Sequence, residues 1–193
     1  MSVREQAAAA TRERIIEVAV EAFSARWYDE VTIRGVAADA GVAVQTVSNH
    51  FATKDELFVA AVERIGTSIE SARWDVTPGD VDGAISTLVD DYERNGDANL
   101  RLLAVEPRVA VVQPQMARGR AGHQTWVEHV FAAALSGLGG RARPRRVAQL
   151  VVVTDVYAWK LLRRDKGLDR DQTITAMCEL VLALHDHSEG DSR

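Results

Sequence analysis

The stretch Thr11–Leu57, TRERIIEVAVEAFSARWYDEVTIRGVAADAGVAVQTVSNHFATKDEL, decides how this chain is read. It opens with Ile15, Ile16, Ala19, Val20, Ala22 and Phe23 at spacings of three and four. Arg12, Glu13, Glu17 and Glu21 take the other side, which predicts an amphipathic helix over about 11–25. After Trp27, Tyr28 and Asp29, Thr32 is suited to cap a second helix reaching about Ala40, with Ile33, Val36 and Ala37 inward and Gly41 ending it. A third short helix fits Ala43 to Asn49. Thr53 opens a fourth, running past Ile65, with Glu56 three residues on completing a capping box. Glycine stands at the one turn that must visit a left-handed conformation.

The second and third of these helices, joined by a short turn containing Gly41, have the form of a helix-turn-helix whose second member offers its N-terminal half to a major groove. Val42 and Val47 face inward. Gln45, Thr46, Ser48 and Asn49 are uncharged hydrogen-bonding side chains suited to base edges and phosphates, and Gln or Asn can bond an adenine twice. Gln45 is the first choice for base readout, with Thr46 and Ser48 toward phosphates.

Beyond this unit the chain stays helical in pattern. TPGD at Thr77–Asp80 offers a cap and a first-turn proline for a helix carrying Val81, Ile85, Leu88, Val89 and Tyr92. Asn95 and Gly96 are expected to break it, and Asp97 to cap a further short helix up to Pro107. A helix over about 114–138 follows. Another, beginning near Pro144, contains VAQLVVVTDVYAWKLL, apolar on nearly all sides and so needing cover from two directions. Asp169 and Gln172 form a capping box for the last helix, with Ile174, Met177, Cys178, Val181, Leu182 and Leu184, before a polar tail from about His185. No segment reads as a strand.

Thr11, Arg12, Phe23, Tyr28, Ala37, Ala40, Gly41, Val42, Thr46, His50, Phe51, Lys54 and Leu57 stand at the offsets of a known signature, and the stretch closely resembles the N-terminus of TetR-family regulators. GRAGHQTWVEHVF (119–131) and TDVYAWKLLRRDKGL (154–168) look similar to the C-terminal layout of one subset of that family. The resemblance implies an all-α fold of about nine helices. A helix-turn-helix three-helix unit, residues 1–54, binds DNA, and a helical domain, residues 55–193, binds an effector and dimerises, linked through a helix over about 55–76. Lys54 stands where the family contacts the DNA backbone. Arg12, Thr32, Arg34 and His50 complete the candidate DNA-binding set with Val44, Gln45, Thr46, Ser48 and Asn49.

Three positions depart from the pattern. Ser48 replaces an aromatic residue and shortens any reach to phosphate. Val44 replaces a residue that is commonly polar or basic and could touch a thymine methyl. Trp27 stands where glycine normally closes the first helix, so the corner must avoid a positive φ.

The family places an effector pocket in the C-terminal helices and pairs the last two helices with a partner subunit in a four-helix bundle. Tyr92, Leu103, Met116, His123, Trp126, Val127, Val130, Tyr157 and Leu161 are the candidate pocket residues, combining aromatic walls with polar tips. Each also suits a plain core position. A homodimer would set two recognition helices about 34 Å apart on a near-palindromic operator. The implied function is a repressor of transcription released from double-stranded DNA by a small-molecule effector. The alternative is a ligand-binding helical dimer of the same fold without specific DNA binding, given some weight by the acidic N-terminal unit and by Ser48.

Composition narrows the other classes. With 193 residues, 47% hydrophobic and 26% charged, the chain suits a globular protein of one large or two small domains. Net charge −5 argues mildly against nucleic acid, although the distribution of charge matters more than its sum. One cysteine excludes a disulfide framework, and neither His123 with His129 nor His185 with His187 makes a metal motif. No segment approaches the roughly 18 apolar residues of a membrane span, and the start MSVREQAAAATRERII lacks a long apolar run, so a cytoplasmic protein is expected. A phosphate-cradling glycine loop, a Gly-x-Ser-x-Gly elbow and a His-Glu-x-x-His motif are all missing, so no enzyme and no cofactor are expected. The basic loop Arg141, Arg143, Arg145 and Arg146 suits either an acidic partner or, as charged interhelical loops more often do, plain solvation, and it is assigned no role.

Overall fold

Helix α1 spans Val3–Ala25, starting well before the expected Thr11. Ser2 accounts for the difference: its hydroxyl accepts the Glu5 N–H at 3.3 Å, and the Glu5 carboxylate accepts the Ser2 N–H at 2.7 Å. This capping box leads into an alanine-rich run of high helix propensity, so the helix is set before its apolar face begins. The computed structural model describes residues 2–186, all helix and connecting turn, with no strand among the described residues. Helices α2 (Ile33–Asp39), α3 (Val44–His50), α4 (Lys54–Trp74), α5 (Val81–Val105), α6 (Val112–Val130), α7 (Ala142–Thr154), α8 (Val156–Lys160) and α9 (Arg170–Asp186) follow in order.

The chain forms two compact units. The first holds the residues up to Ser68 together with Arg101–Met116. Its core joins Ile15, Ile16, Ala19 and Phe23 of α1 to Tyr28, Val36, Val47, Phe51, Leu57 and Phe58. Phe23 and Tyr28 both meet the Phe58 ring edge-on, at 5.1 and 5.2 Å between centroids, a geometry aromatic rings favour. Arg108 pairs with Asp29 at 2.6 Å, and Arg101 donates to the Ser24 carbonyl near the end of α1. Trp27 closes the α1 corner with φ −63° and ψ 146°, followed by a 3₁₀ turn over Tyr28–Glu30, so no left-handed residue is used there.

The second unit comprises Ile69–Leu100 and the chain from Ala117 onward. Ile85, Leu88, Val89, Trp126, Val127, Leu150, Trp159 and Met177 are fully or almost fully buried in it. Helix α5 corrects the sequence reading twice. Asp80 caps it, accepting the Gly83 N–H at 2.9 Å, in place of Thr77. The helix also continues unbroken through Asn95 and Gly96. Gly96 serves close packing: a Cβ there would lie 2.5 Å from Cζ3 of Trp159. Tertiary contact decides this position over local propensity.

Two further expectations change. Helix α6 stops at Val130, short of 138, because the Gly79 N–H takes the Val130 carbonyl at 2.9 Å, and a 3₁₀ turn over Ala132–Leu135 follows. The single helix expected through VAQLVVVTDVYAWKLL is interrupted at Asp155, whose extended backbone (ψ 154°) ends α7 and whose carboxylate caps α8 by accepting the Tyr157 N–H at 2.9 Å. A π-helical turn over Leu161–Asp165 comes next. One face of α7 is covered, by burial of Val147, Leu150 and Thr154, whereas Val152 is 66% exposed. Asp169 and Gln172 cap α9 reciprocally, at 3.0 and 2.8 Å, as the sequence indicates. No described helix is long and apolar enough to cross a membrane.

Candidate functional site

The helix-turn-helix is built from short-range rules. Thr32 caps α2 by accepting the Gly35 N–H at 3.1 Å, Gly41 takes φ +66° in the turn, and α3 begins three residues later. Val47 is fully buried and Val42 packs on the core of the first unit, so α3 has a fixed inner side. Val44, Gln45, Ser48 and Asn49 then share the exposed side, at spacings of one and four, while Thr46 and His50 are half-buried at its margins. The Gln45 Nε2 donates to Oδ1 of Asn49 at 3.0 Å across one turn of α3.

The charged candidates are differently placed. Arg12 and Arg34 are exposed, and the Arg12 guanidinium lies 5.1 Å from the Phe51 ring centre. Lys54, at the start of α4, is half-buried with its ammonium 4.1 Å above the Tyr28 ring, whose hydroxyl donates to Asp55. Burial draws the Lys54 ammonium below its usual value, against the opposing pull of Asp29 and Asp55. Resting on an aromatic face holds the group in place at the head of the helix. Thr53 accepts the Glu56 N–H at 3.1 Å, and the Glu56 carboxylate accepts the Ala52 N–H at 2.8 Å, one residue earlier than a capping box would place it.

In the second unit three of the candidate pocket residues, Tyr92, His123 and Trp126, converge on a buried polar cluster. Arg73, near the end of α4, pairs with Asp91 of α5 at 2.6 Å, the two side chains being 13% and 5% exposed. Its Nη1 lies 3.3 Å from Nδ1 of His123, and its guanidinium faces the rings of Tyr92 and Trp126 at 5.4 and 5.8 Å. The Trp126 Nε1 donates to the Arg73 carbonyl at 3.0 Å, and Asn95 donates to Asp91 at 2.8 Å.

The hydrogen bonds of this cluster have one consistent direction. Thr154 donates to the Leu150 carbonyl at 2.7 Å, so its oxygen accepts from Nε2 of His123 at 3.0 Å. That leaves Nδ1 of His123 bare to accept from Arg73. The imidazole is therefore neutral, and burial together with the Arg73 charge pulls its pKa down to about 4. Tyr92 donates its hydroxyl to the Thr154 carbonyl at 3.0 Å, which α7 leaves free where it ends. Burial raises the Tyr92 phenol well above its ordinary value.

Val127 and Val130 are buried beside these groups in sequence, whereas Tyr157 and Leu161 are 52% and 55% exposed. Leu103 and Met116 belong to the first unit, where Met116 packs on the hydrophobic core. An apolar cavity of about 160 Å³ in the second unit is lined by Gly79, Val81, Phe131, Ala134, Val181 and Leu182, and of the candidates only by Val130. Sequence reading missed Arg73, Asp91 and Thr154. The signal was present for two of them: Asp91 falls three residues after Leu88 on the apolar face of α5, and Thr154 continues the row of Val147 and Leu150 on α7. Cys178 is buried, and desolvation with neighbouring Asp82 pushes its thiol up to about 12. His129 lies against Trp74 at 5.1 Å, and His187 lies outside the described residues.

Comparison with known proteins gives three findings. Residues 15–61 match the family model of bacterial regulatory proteins of the tetR family. No protein of curated function matches the sequence. Solved structures match the fold. A tetR-family transcriptional regulator from Streptomyces coelicolor superposes with TM-score 0.73 at 19% identity, over 98% of this chain and 84% of that one. A TetR-family member from Streptomyces coelicolor A3 gives 0.67 at 20% identity, over 88% and 97%. The multidrug binding protein EbrR, solved in complex with imidazole, gives 0.61 at 21% identity, over 88% of each chain.

Proposed function

We propose that this chain, a tetR-family transcriptional regulator, is a repressor that grips a near-palindromic operator with α3 of each of two subunits and releases it when a small molecule binds. The observation that supports this most is the exposed row Val44, Gln45, Ser48 and Asn49 on a helix anchored from behind by buried Val47. Gln45, with Val44 and Asn49 beside it, meets base edges, while Ser48 in the same row and Arg12, Thr32, Arg34, Thr46, His50 and Lys54 around it meet phosphates and set the register. Residues 1–54 form the DNA-binding domain in this reading, and residues 55–193 bind the effector and dimerise, in the cytoplasm.

Dimerisation is supported by the apolar side chains left in water by one chain: Val152 on α7, Tyr157 on α8, Leu161 just after it, and Leu180 and Leu182 on α9. The effector reading is supported by the aromatic walls around Arg73 and by a fold shared with a protein that binds imidazole. A ligand acts by favouring a state whose two recognition helices are wrongly spaced for successive major grooves.

Passing fragmented genomic DNA over the purified protein tests the reading. One palindromic sequence should be retained, with affinity falling steeply as salt rises. Retention without sequence preference would sink it. Lys54→Ala should weaken every sequence alike and lower the salt slope by about 1, because a phosphate contact carries no base information.

A further inference from the structure

We infer that Asn49 is a positioning residue that holds the Gln45 amide for an adenine, so that Gln45 and Asn49 together read one A·T pair in each half-site. The inference rests on the DNA-binding reading above. Both side chains lie on the exposed face of α3, one helical turn apart, joined by the 3.0 Å bond from Nε2 of Gln45 to Oδ1 of Asn49. A glutamine amide free in water rotates, and its two ends present opposite hydrogen-bonding character. The bond to Asn49, one turn further along the helix, sets one of the two arrangements: the nitrogen end of Gln45 turns toward Asn49, and the oxygen end turns away.

What remains available on Gln45 is one N–H and the carbonyl oxygen, side by side. Adenine presents the complement in the major groove, with N7 to accept and the N6 amino group to donate. Guanine offers two acceptors there and would leave the Gln45 oxygen facing O6. Cytosine and thymine each offer a single polar group. Asn49, with its oxygen engaged, has only its amino group left and can serve an acceptor such as a phosphate oxygen. Val44, beside Gln45 on the same face, is 44% exposed and apolar, which suits the 5-methyl group of a thymine at the adjoining step.

The test uses the full-length protein and selection from randomised double-stranded DNA, with Gln45→Ala, Asn49→Ala and the double variant beside wild type. Both positions of change are solvent-facing, and unchanged thermal melting checks that folding is intact. The expected result is a palindrome with adenine fixed at one position per half-site. Gln45→Ala and Asn49→Ala should both relax preference at that same pair by roughly ten-fold, and the double variant no further than Gln45→Ala alone. Replacing that adenine by 7-deazaadenine, which lacks N7, should weaken wild type by about the same factor and leave Gln45→Ala unaffected. If wild type enriches no sequence, the DNA-binding reading fails and takes this inference with it. If wild type enriches a palindrome but Asn49→Ala weakens all sequences equally, changes nothing, or relaxes a different base pair, the repressor reading stands and the pairing of Asn49 with Gln45 is overturned.

Discussion

Replacing Gly96 by alanine puts a methyl group where the Trp159 ring already stands. The new Cβ would lie 2.5, 2.8 and 3.0 Å from Cζ3, Cη2 and Cε3 of that ring. The ring has little freedom to yield. Trp159 is fully buried, its Nε1 is held by Glu93 at 3.0 Å, and the Arg164 guanidinium faces it at 4.5 Å. Glu93 is itself held by Arg163 at 2.9 Å. Overpacking a core by one methyl under such restraint costs about 1–3 kcal/mol. Alanine in a helix interior returns about 0.5–1 kcal/mol relative to glycine. With the ring this restrained, the overpacking cost lies toward the upper end, about 2–3 kcal/mol. The net expectation is a loss of about 1–2.5 kcal/mol, which for a chain of this size lowers Tm by roughly 2–10 °C. Gly119 in α6 isolates the opposing effect, because a Cβ there meets nothing within 4 Å. Gly119→Ala should therefore gain about 0.5–1 kcal/mol. Thermal melting of both variants by circular dichroism reads the two signs directly. A Gly96→Ala protein that melts at or above wild type would refute the claim that Trp159 selects glycine at position 96.

The remaining predictions concern the buried cluster and the apolar surface. Asp91→Ala leaves the Arg73 guanidinium buried without its carboxylate and should destabilise by about 3–5 kcal/mol in urea titration, whereas an unchanged midpoint would show that the pair is not desolvated. His123 has a folded pKa of about 4 against an ordinary 6.5, so the unfolded chain binds the extra proton between those values. Its contribution is fully present above pH 6.5 and is lost as pH falls toward 4, about 3 kcal/mol in all. His123→Gln should flatten that part of the stability profile, and a variant as acid-sensitive as wild type would assign the effect elsewhere. Val152→Arg should shift the protein from dimer to monomer in sedimentation velocity, and a dimer that survives it would remove α7 from the proposed interface.

The helix-turn-helix stretch of the first unit was legible because its rules are local. Thr32, Gly41 and Thr53 act on backbone groups within three residues of themselves, and the inward positions of Val36 and Val47 follow from helical spacing alone. Placement of Val44, Gln45, Ser48 and Asn49 on one exposed face follows from the same spacing. The second unit resisted for the opposite reason. Gly96 looks like a breaker until Trp159, far along the chain, is packed against it. Asp155 is hidden inside an apolar run whose hydrophobicity conceals its capping role. Arg73 and Asp91 look like ordinary surface charges because each finds its partner only when α4 and α5 come together.

The interruption at Asp155 reaches beyond the two helices it separates. Ending α7 there strips the Thr154 carbonyl of its helical partner, and the buried hydroxyl of Tyr92 takes that carbonyl in its place. The two positions therefore share one constraint although they lie on different helices. A relative in which α7 ran straight through this point would have no open carbonyl to satisfy, and phenylalanine would serve as well at position 92. Across related sequences a helix-capping side chain at 155 and a tyrosine at 92 should accordingly be gained and lost together.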